Sequence, residues 1–197
     1  MSQFLIYFQL GLKHILNIYS YDHILFLMAL AIPLTFKDWK RVLVLVSTFT
    51  IAHTVALLLT LYGIVFVKAA VIELLIPIAI LSIALFYLFT AGKSGKSESI
   101  NLVFFITLFF GIIHGLGFLT YFKSIHHSTT VSKLLAIFEY SLGIEAGQLL
   151  VILLALLVAY IVQTVFRFSK RDWTLVMAAF IIGVVLPLII GNKIWLR

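Results

Sequence analysis

Residues 42–66, 69–91, 101–122 and 134–166 are four apolar stretches, each long enough to cross a bilayer as a helix. About 20 residues suffice for a hydrocarbon core about 30 Å thick. A fifth stretch, 173–191, is slightly shorter but uninterrupted, and two short ones, 2–19 and 22–36, open the chain. A soluble fold does not accommodate this pattern. Of the 197 residues 63% are hydrophobic and 11% charged, against about 45–50% and about 25% in a soluble domain. A globule of this length has too little interior to hide the surplus. The sequence predicts an all-α, polytopic transmembrane helix bundle of six or seven helices. Residues 1–197 form a single integral membrane domain with no soluble domain, which excludes a cytosolic enzyme, a secreted module and a disordered tail.

The charged minority reports topology. In a soluble chain a net charge of +7 would suggest nucleic acid; here the basic residues sit in short connectors, so no nucleic acid is expected. Lys37, Lys40, Arg41, Lys93, Lys96, Arg167, Lys170 and Arg171 fall on one side if each long stretch crosses once. Lys68, Lys123, Lys133, Lys193 and Arg197 fall on the other. The excess places the first set in the cytoplasm. Seven crossings then give an N-terminus inside and a C-terminus outside; six remain if 2–19 lies in the interface. That first stretch lacks the basic start and small-residue cleavage site of a signal peptide and is read as mature structure. GKSGKS in the connector 92–101 lacks the glycine spacing and the strand–helix setting of a phosphate-binding loop.

Polar groups within the hydrocarbon are costly unless they are paired or face a cavity. His14 falls near the outer end of the first stretch, and Asp22 and His23 open the second. His53 lies near the middle of the third and His114 slightly outward of centre in the fifth. Glu73, Glu139, Glu145 and Gln148 are further candidates in the outer half, Glu145 weighted above Glu73 and Glu139 because those two can reach the interface. Ser141, Glu145 and Gln148 share one helical face, as do Ser47, Thr50 and Thr54. Gly111 and Gly115 flank His114, and Gly143 and Gly147 form a second small-residue pair; both would let helices approach closely. One membrane histidine is readily explained by a hydrogen bond to a neighbouring helix. Four of them with carboxylates in one half of the bilayer point to a shared divalent transition-metal site. Without cysteine the donors are nitrogen and oxygen, which suits Zn, Ni, Co or Fe(II) over Cu(I). Asp22 fits either a helix N-cap or a partner that orients an imidazole. His126 and His127, in an outer loop, are read as solvated.

The same residues carry a family resemblance. GLKHILNIYSYDHILFL (11–27) resembles the opening signature of the HupE/UreJ family of hydrogenase and urease accessory membrane proteins. TFTIAHTVALLL (48–59), FFGIIHGLGF (109–118) and SLGIEAGQ (141–148) look like its later motifs in the same order. The resemblance implies a small multi-pass protein of the bacterial inner (cytoplasmic) membrane, associated with nickel and regarded as a permease that supplies metalloenzyme assembly. Matched motif by motif, it implies functional roles for His14, Asp22, His23, His53, His114 and Glu145. Two departures mark a divergent second branch: seven residues separate His14 from Asp22, a longer gap than in the better-known nickel branch. A single histidine, His114, also stands where that branch has two with a glutamate.

Two functions follow from this chemistry. One is transport of a divalent metal, nickel or zinc, through a site open to the periplasm. The other is an intramembrane zinc-dependent hydrolase or transferase at the outer leaflet, with Glu145 or Asp22 as general base. Transport is favoured, chiefly through the resemblance. Expected partners are the bilayer and the metal ion as cargo or cofactor; a homo-oligomer and accessory or metalloenzyme-assembly partners stay open.

Overall fold

The computed structural model describes residues 2–92, 98–117 and 133–196. Among these are seven α-helices and no strand: α1 (Gln3–Ile15), α2 (Asp22–Ala31), α3 (Trp39–Leu61), α4 (Ala69–Thr90), α5 (Glu98–Gly117), α6 (Lys133–Thr164) and α7 (Lys170–Ile190). The fold is all-helical, as the apolar pattern predicts. Four segments are long and apolar enough to cross a membrane: Phe36–Leu61, Ala69–Thr90, Leu134–Thr164 and Lys170–Trp195. The apolar parts of α2 and α5 are shorter. His126, His127 and the lysines of the GKSGKS string fall outside the described residues.

The helices start and stop where local chemistry requires. Ahead of α3, the Thr35 N–H and hydroxyl both donate to Asp38 Oδ2, at 2.9 and 2.7 Å. Ser169 caps α7, accepting from the Asp172 N–H at 3.1 Å and donating to its carboxylate at 2.6 Å. The apolar run 42–66 outlasts its helix because Gly63 takes φ +74°, a left-handed conformation that ends α3. Asp22 is not an N-cap: Tyr21 holds that position, and no side-chain hydrogen bond caps the helix.

The directions of the first two helices come from their contacts. A Cβ on Gly11 would strike the backbone of Tyr140 and Ile144, one on Gly143 the backbone of Phe8 and Leu12, and one on Gly147 would meet Ile15 at 2.9 Å. Residue numbers rise together along both helices, so α1 runs parallel to α6. Gly111 against Phe49 and Gly115 against His53 show in the same way that α3 and α5 are parallel. Phe26 stacks on Phe110 while His23 lies beside His114, so α2 runs against α5. Ser47 reaches Glu145, Thr54 reaches Ser141, and Phe36 touches Tyr160, so α3 runs against α6. It follows that α1 and α2 both run the way α6 does. They run one after the other in the same direction and do not form an out-and-back pair. At 1.5 Å per residue they measure about 20 Å and about 15 Å. Between them, Asn17 accepts from the Tyr19 N–H at 3.0 Å and steadies a single 3-10 turn, Ile18–Ser20.

Phe36 against Tyr160, and Gly92 against the Arg171 side chain, bring the starts of α3 and α7 and the ends of α4 and α6 to one end of the bundle. Lys37, Lys40, Arg41, Arg167, Lys170 and Arg171 therefore share that end. The core between the helices is apolar and includes fully buried Phe26, Phe49, Phe110, Tyr140, Ile80 and Ile83. Between α2, α6 and α7 lies a cavity of about 580 Å³ walled by residues such as Met28, Val151, Ala155, Trp173, Met177 and Phe180.

Side chains at the glycine contacts would push helices apart. Gly143→Leu and Gly115→Leu are each expected to destabilise the protein by about 1–3 kcal/mol or more, the usual cost of overpacking. Gly183 meets nothing within 4 Å, so Gly183→Ala should be neutral or stabilising, since alanine is the better helix former. Thermal unfolding of the detergent-solubilised variants checks this: lower midpoints for the first two and none for the third.

Candidate metal centre

The break between α1 and α2 sets His14 on the last turn of one helix and Asp22 and His23 on the first turn of the next. His53 comes from the middle of α3 and His114 from the last turn of α5. The four imidazoles converge. Ring centroids are 4.1 Å apart for His23 and His114, 4.6 Å for His14 and His23, and 6.1 Å for His14 and His53. His53 is 0% exposed, His23 3% and His114 6%. The glycines make this possible: Gly115 brings the α5 backbone against the His53 carbonyl, and Gly111 brings it against Ala52.

Asp22 is hydrogen-bonded to the His114 ring and lies beside that of His23. Its Oδ1 accepts from the His23 N–H at 3.0 Å and lies 3.3 Å from His23 Nδ1; its Oδ2 is 3.1 Å from His114 Nε2. One ligand atom from each of Asp22, His23 and His114 falls within 4.8 Å of the others, which is a geometry that could hold a metal ion. The donor chemistry fits a divalent transition metal. His23 Nε2 and His114 Nδ1 are buried without a hydrogen-bond partner, an arrangement that is costly in an apolar interior and that a metal would relieve. Asp22 can serve such a site in two ways. It can ligate directly, or it can hold His114 through Nε2 so that Nδ1 is presented to the ion, as carboxylates commonly do behind metal-bound histidines.

His14 stands just outside this tight group, in ring contact with His23, and His53 lies beyond it, in ring contact with His14. Glu145 lies elsewhere: its Oε1 accepts from Ser47 Oγ at 2.6 Å on the facing side of α3. Gln148, 1% exposed, accepts from Thr50 Oγ1 at 3.4 Å. Glu139 is buried against α1 near Tyr7, and Glu73 is exposed on α4.

Several residues that shape the centre escape a reading based on polarity. Phe26, Phe49 and Phe110 form an aromatic layer, with centroids 3.6 Å apart for Phe26–Phe110, 5.7 Å for Phe49–Phe110 and 6.1 Å for Phe26–Phe49. Phe26 follows His23 by three residues, Phe49 precedes His53 by four, and Phe110 precedes His114 by four. Given the helix directions, all three rings lie toward the end of the bundle that carries the basic residues. Tyr140 of α6 closes another side, 6.0 Å from His14 and 6.4 Å from His53. The Phe104–Phe110 run reads from sequence as packing or lipid-facing residues; Phe105 is exposed, while Phe110 is 0% exposed and belongs to this layer. The one-turn spacing of a phenylalanine from each histidine is the signal that marks the set.

Zinc or nickel titration of the purified protein tests the centre. His23→Ala and His114→Ala should each weaken binding strongly, and Asp22→Asn by about 10–100-fold, the usual effect of losing a histidine's carboxylate partner. Affinity should fall as pH drops, because each ligating imidazole must first lose its proton.

No curated protein and no solved structure matches the chain. A family model described as HupE / UreJ protein matches residues 1–191, nearly the whole sequence, and the chain belongs to the HupE/UreJ family.

Proposed function

We propose that this protein carries a divalent transition-metal ion, nickel or zinc, across the bacterial inner membrane. The observation that carries the reading is the buried group Asp22, His23 and His114, set at the break in a helix. Ion sites of secondary transporters lie near mid-depth, where helices are interrupted. Here α1 and α2 together make one interrupted crossing of about 35 Å at 1.5 Å per residue. With α3 to α7 this gives six crossings. The N-terminus then starts on the periplasmic side, opposite to the side that seven crossings would give it.

In this reading the ion arrives from the periplasmic half and sheds water to Asp22, whose side chain is 27% exposed. It binds to His23 and His114, with His14 one ring contact away and His53 one beyond it as exchange ligands. The layer of Phe26, Phe49 and Phe110 closes the cytoplasmic side, so release inward needs those rings to part. This is alternating access and not a standing pore. A pocket of neutral imidazoles with one carboxylate suits such an ion: it has the nitrogen donors a transition metal prefers and lacks the thiolates that would hold it too tightly for turnover.

Uptake of Ni²⁺ or Zn²⁺ into proteoliposomes is the test. Saturable uptake by the wild-type protein should fall by at least about tenfold in His23→Ala and His114→Ala, as the loss of a metal ligand or its partner commonly does. Phe110→Ala should open the inner side and convert part of the flux into a leak that does not saturate. Tight stoichiometric zinc with no flux in any variant would overturn transport and favour an intramembrane hydrolase.

A further inference from the structure

The seam between α3 and α6 carries polar groups that the histidine centre does not use. Eight helical hydroxyls among the described residues, on Thr48, Thr54, Thr60, Ser82, Thr90, Thr107, Ser141 and Thr174, donate to a carbonyl of their own helix one turn back. Ser47 and Thr50 do not. They donate across the seam, Ser47 to Glu145 Oε1 at 2.6 Å and Thr50 to Gln148 Oε1 at 3.4 Å. One turn of α3 therefore faces one turn of α6 with four side-chain oxygens, one of them from a carboxyl group. Beyond them Thr54 and Ser141 touch at 2.7 Å and continue the polar line. Among the described residues the ion pairs are those of Asp22 with His23 and His114; Glu145 has no basic partner. A half-buried carboxylate in an apolar bundle without a counter-charge is unfavourable, and neighbouring hydroxyl and amide oxygens are suitable co-ligands for the cation that would neutralise it.

The geometry points to a second cation site at Ser47, Thr50, Glu145 and Gln148, one that takes a hard monovalent cation of the sodium class and couples its entry to that of the transition metal. The oxygen-only donors suit a hard ion, in contrast to the imidazole nitrogens across α3. The single carboxylate matches the charge of a monovalent ion, and the seam has no imidazole nitrogens of the kind that offset the second charge of a divalent ion at the histidine centre. The two sites share a helix, since His53 sits between Thr50 and Thr54 and leaves α3 toward the other imidazoles. Binding at the seam therefore bears directly on the turn that positions His53.

This inference rests on the transport reading, and the experiment separates the two. Zn²⁺ uptake into proteoliposomes is measured with an inward Na⁺ gradient and with choline in its place. Sodium should raise wild-type uptake by about fivefold or more, the lower range of ordinary site-to-site coupling. Glu145→Gln should lower uptake to the level the wild type shows in choline, and Ser47→Ala should weaken the sodium dependence. If Glu145→Gln does not yield a monodisperse protein, Ser47→Ala and Thr50→Val carry the test. Uptake indifferent to sodium, or driven by a proton gradient alone, overturns the coupling site, as does a Glu145→Gln protein that still responds to sodium. If the wild type shows no uptake at all, the transport reading falls. ²²Na⁺ binding to the detergent-solubilised protein then decides the site alone: saturable binding lost in Glu145→Gln upholds it, and its absence overturns it.

Discussion

Backbone-to-backbone contact at glycines underlies the rest of this structure. In lipid there is no hydrophobic force to drive one apolar helix against another, so close van der Waals packing and hydrogen bonds must hold the bundle. Gly11 and Gly143 let α1 lie directly on α6, and Gly111 and Gly115 let α5 lie directly on α3. The first contact fixes how deep α1 reaches and hence where His14 ends. The second sets His114 at the height of His53. Residues without ligand atoms thus decide whether four imidazoles from four helices can meet.

Cost made the centre largely legible from sequence. An ionisable group in a helix surrounded by hydrocarbon stands out, and His14, Asp22, His23, His53 and His114 are such groups; the structure brings them together. The long helices were also legible, because α3, α4, α6 and α7 are long apolar runs, and α3, α4 and α7 are each followed within two residues by a glycine. The direction of α1 was not. Periodicity is the same read up or down, and a 13-residue helix followed by a 10-residue one fits an out-and-back pair or two helices running the same way equally well. Only the contacts of Gly11 and Gly143 distinguish them. The Phe26, Phe49 and Phe110 layer was hidden for the opposite reason to the histidines: a phenylalanine in an apolar helix has no contrast with its neighbours. Glu145 illustrates a third limit. Its motif and its height in the bundle set it beside the histidines, but helical phase turns it to the Ser47 side of α3, and phase relative to a neighbouring helix depends on packing.

The two polar systems flanking α3 differ in donor chemistry. On one side are nitrogens, buried and held in orientation by the Asp22 carboxylate. On the other are oxygens aligned in hydrogen-bonded pairs. The two sets lie on different faces of α3 and would favour different ions, since each set discriminates by donor type. The aromatic layer has a complementary role. It brings three large rings with no lone pairs against the imidazoles on the side of the basic end, where they offer a metal no ligand atoms.

The break between α1 and α2 has a mechanical consequence. His14 belongs to the helix docked on α6, whereas Asp22 and His23 open a helix whose rings stack on those of α3 and α5. A sliding of the α1–α6 pair relative to the other helices would change the reach of a single imidazole while leaving the carboxylate and its two rings undisturbed. A metal held by Asp22, His23 and His114 would then register such a displacement by gaining or losing one nitrogen, with those three donors as a fixed reference.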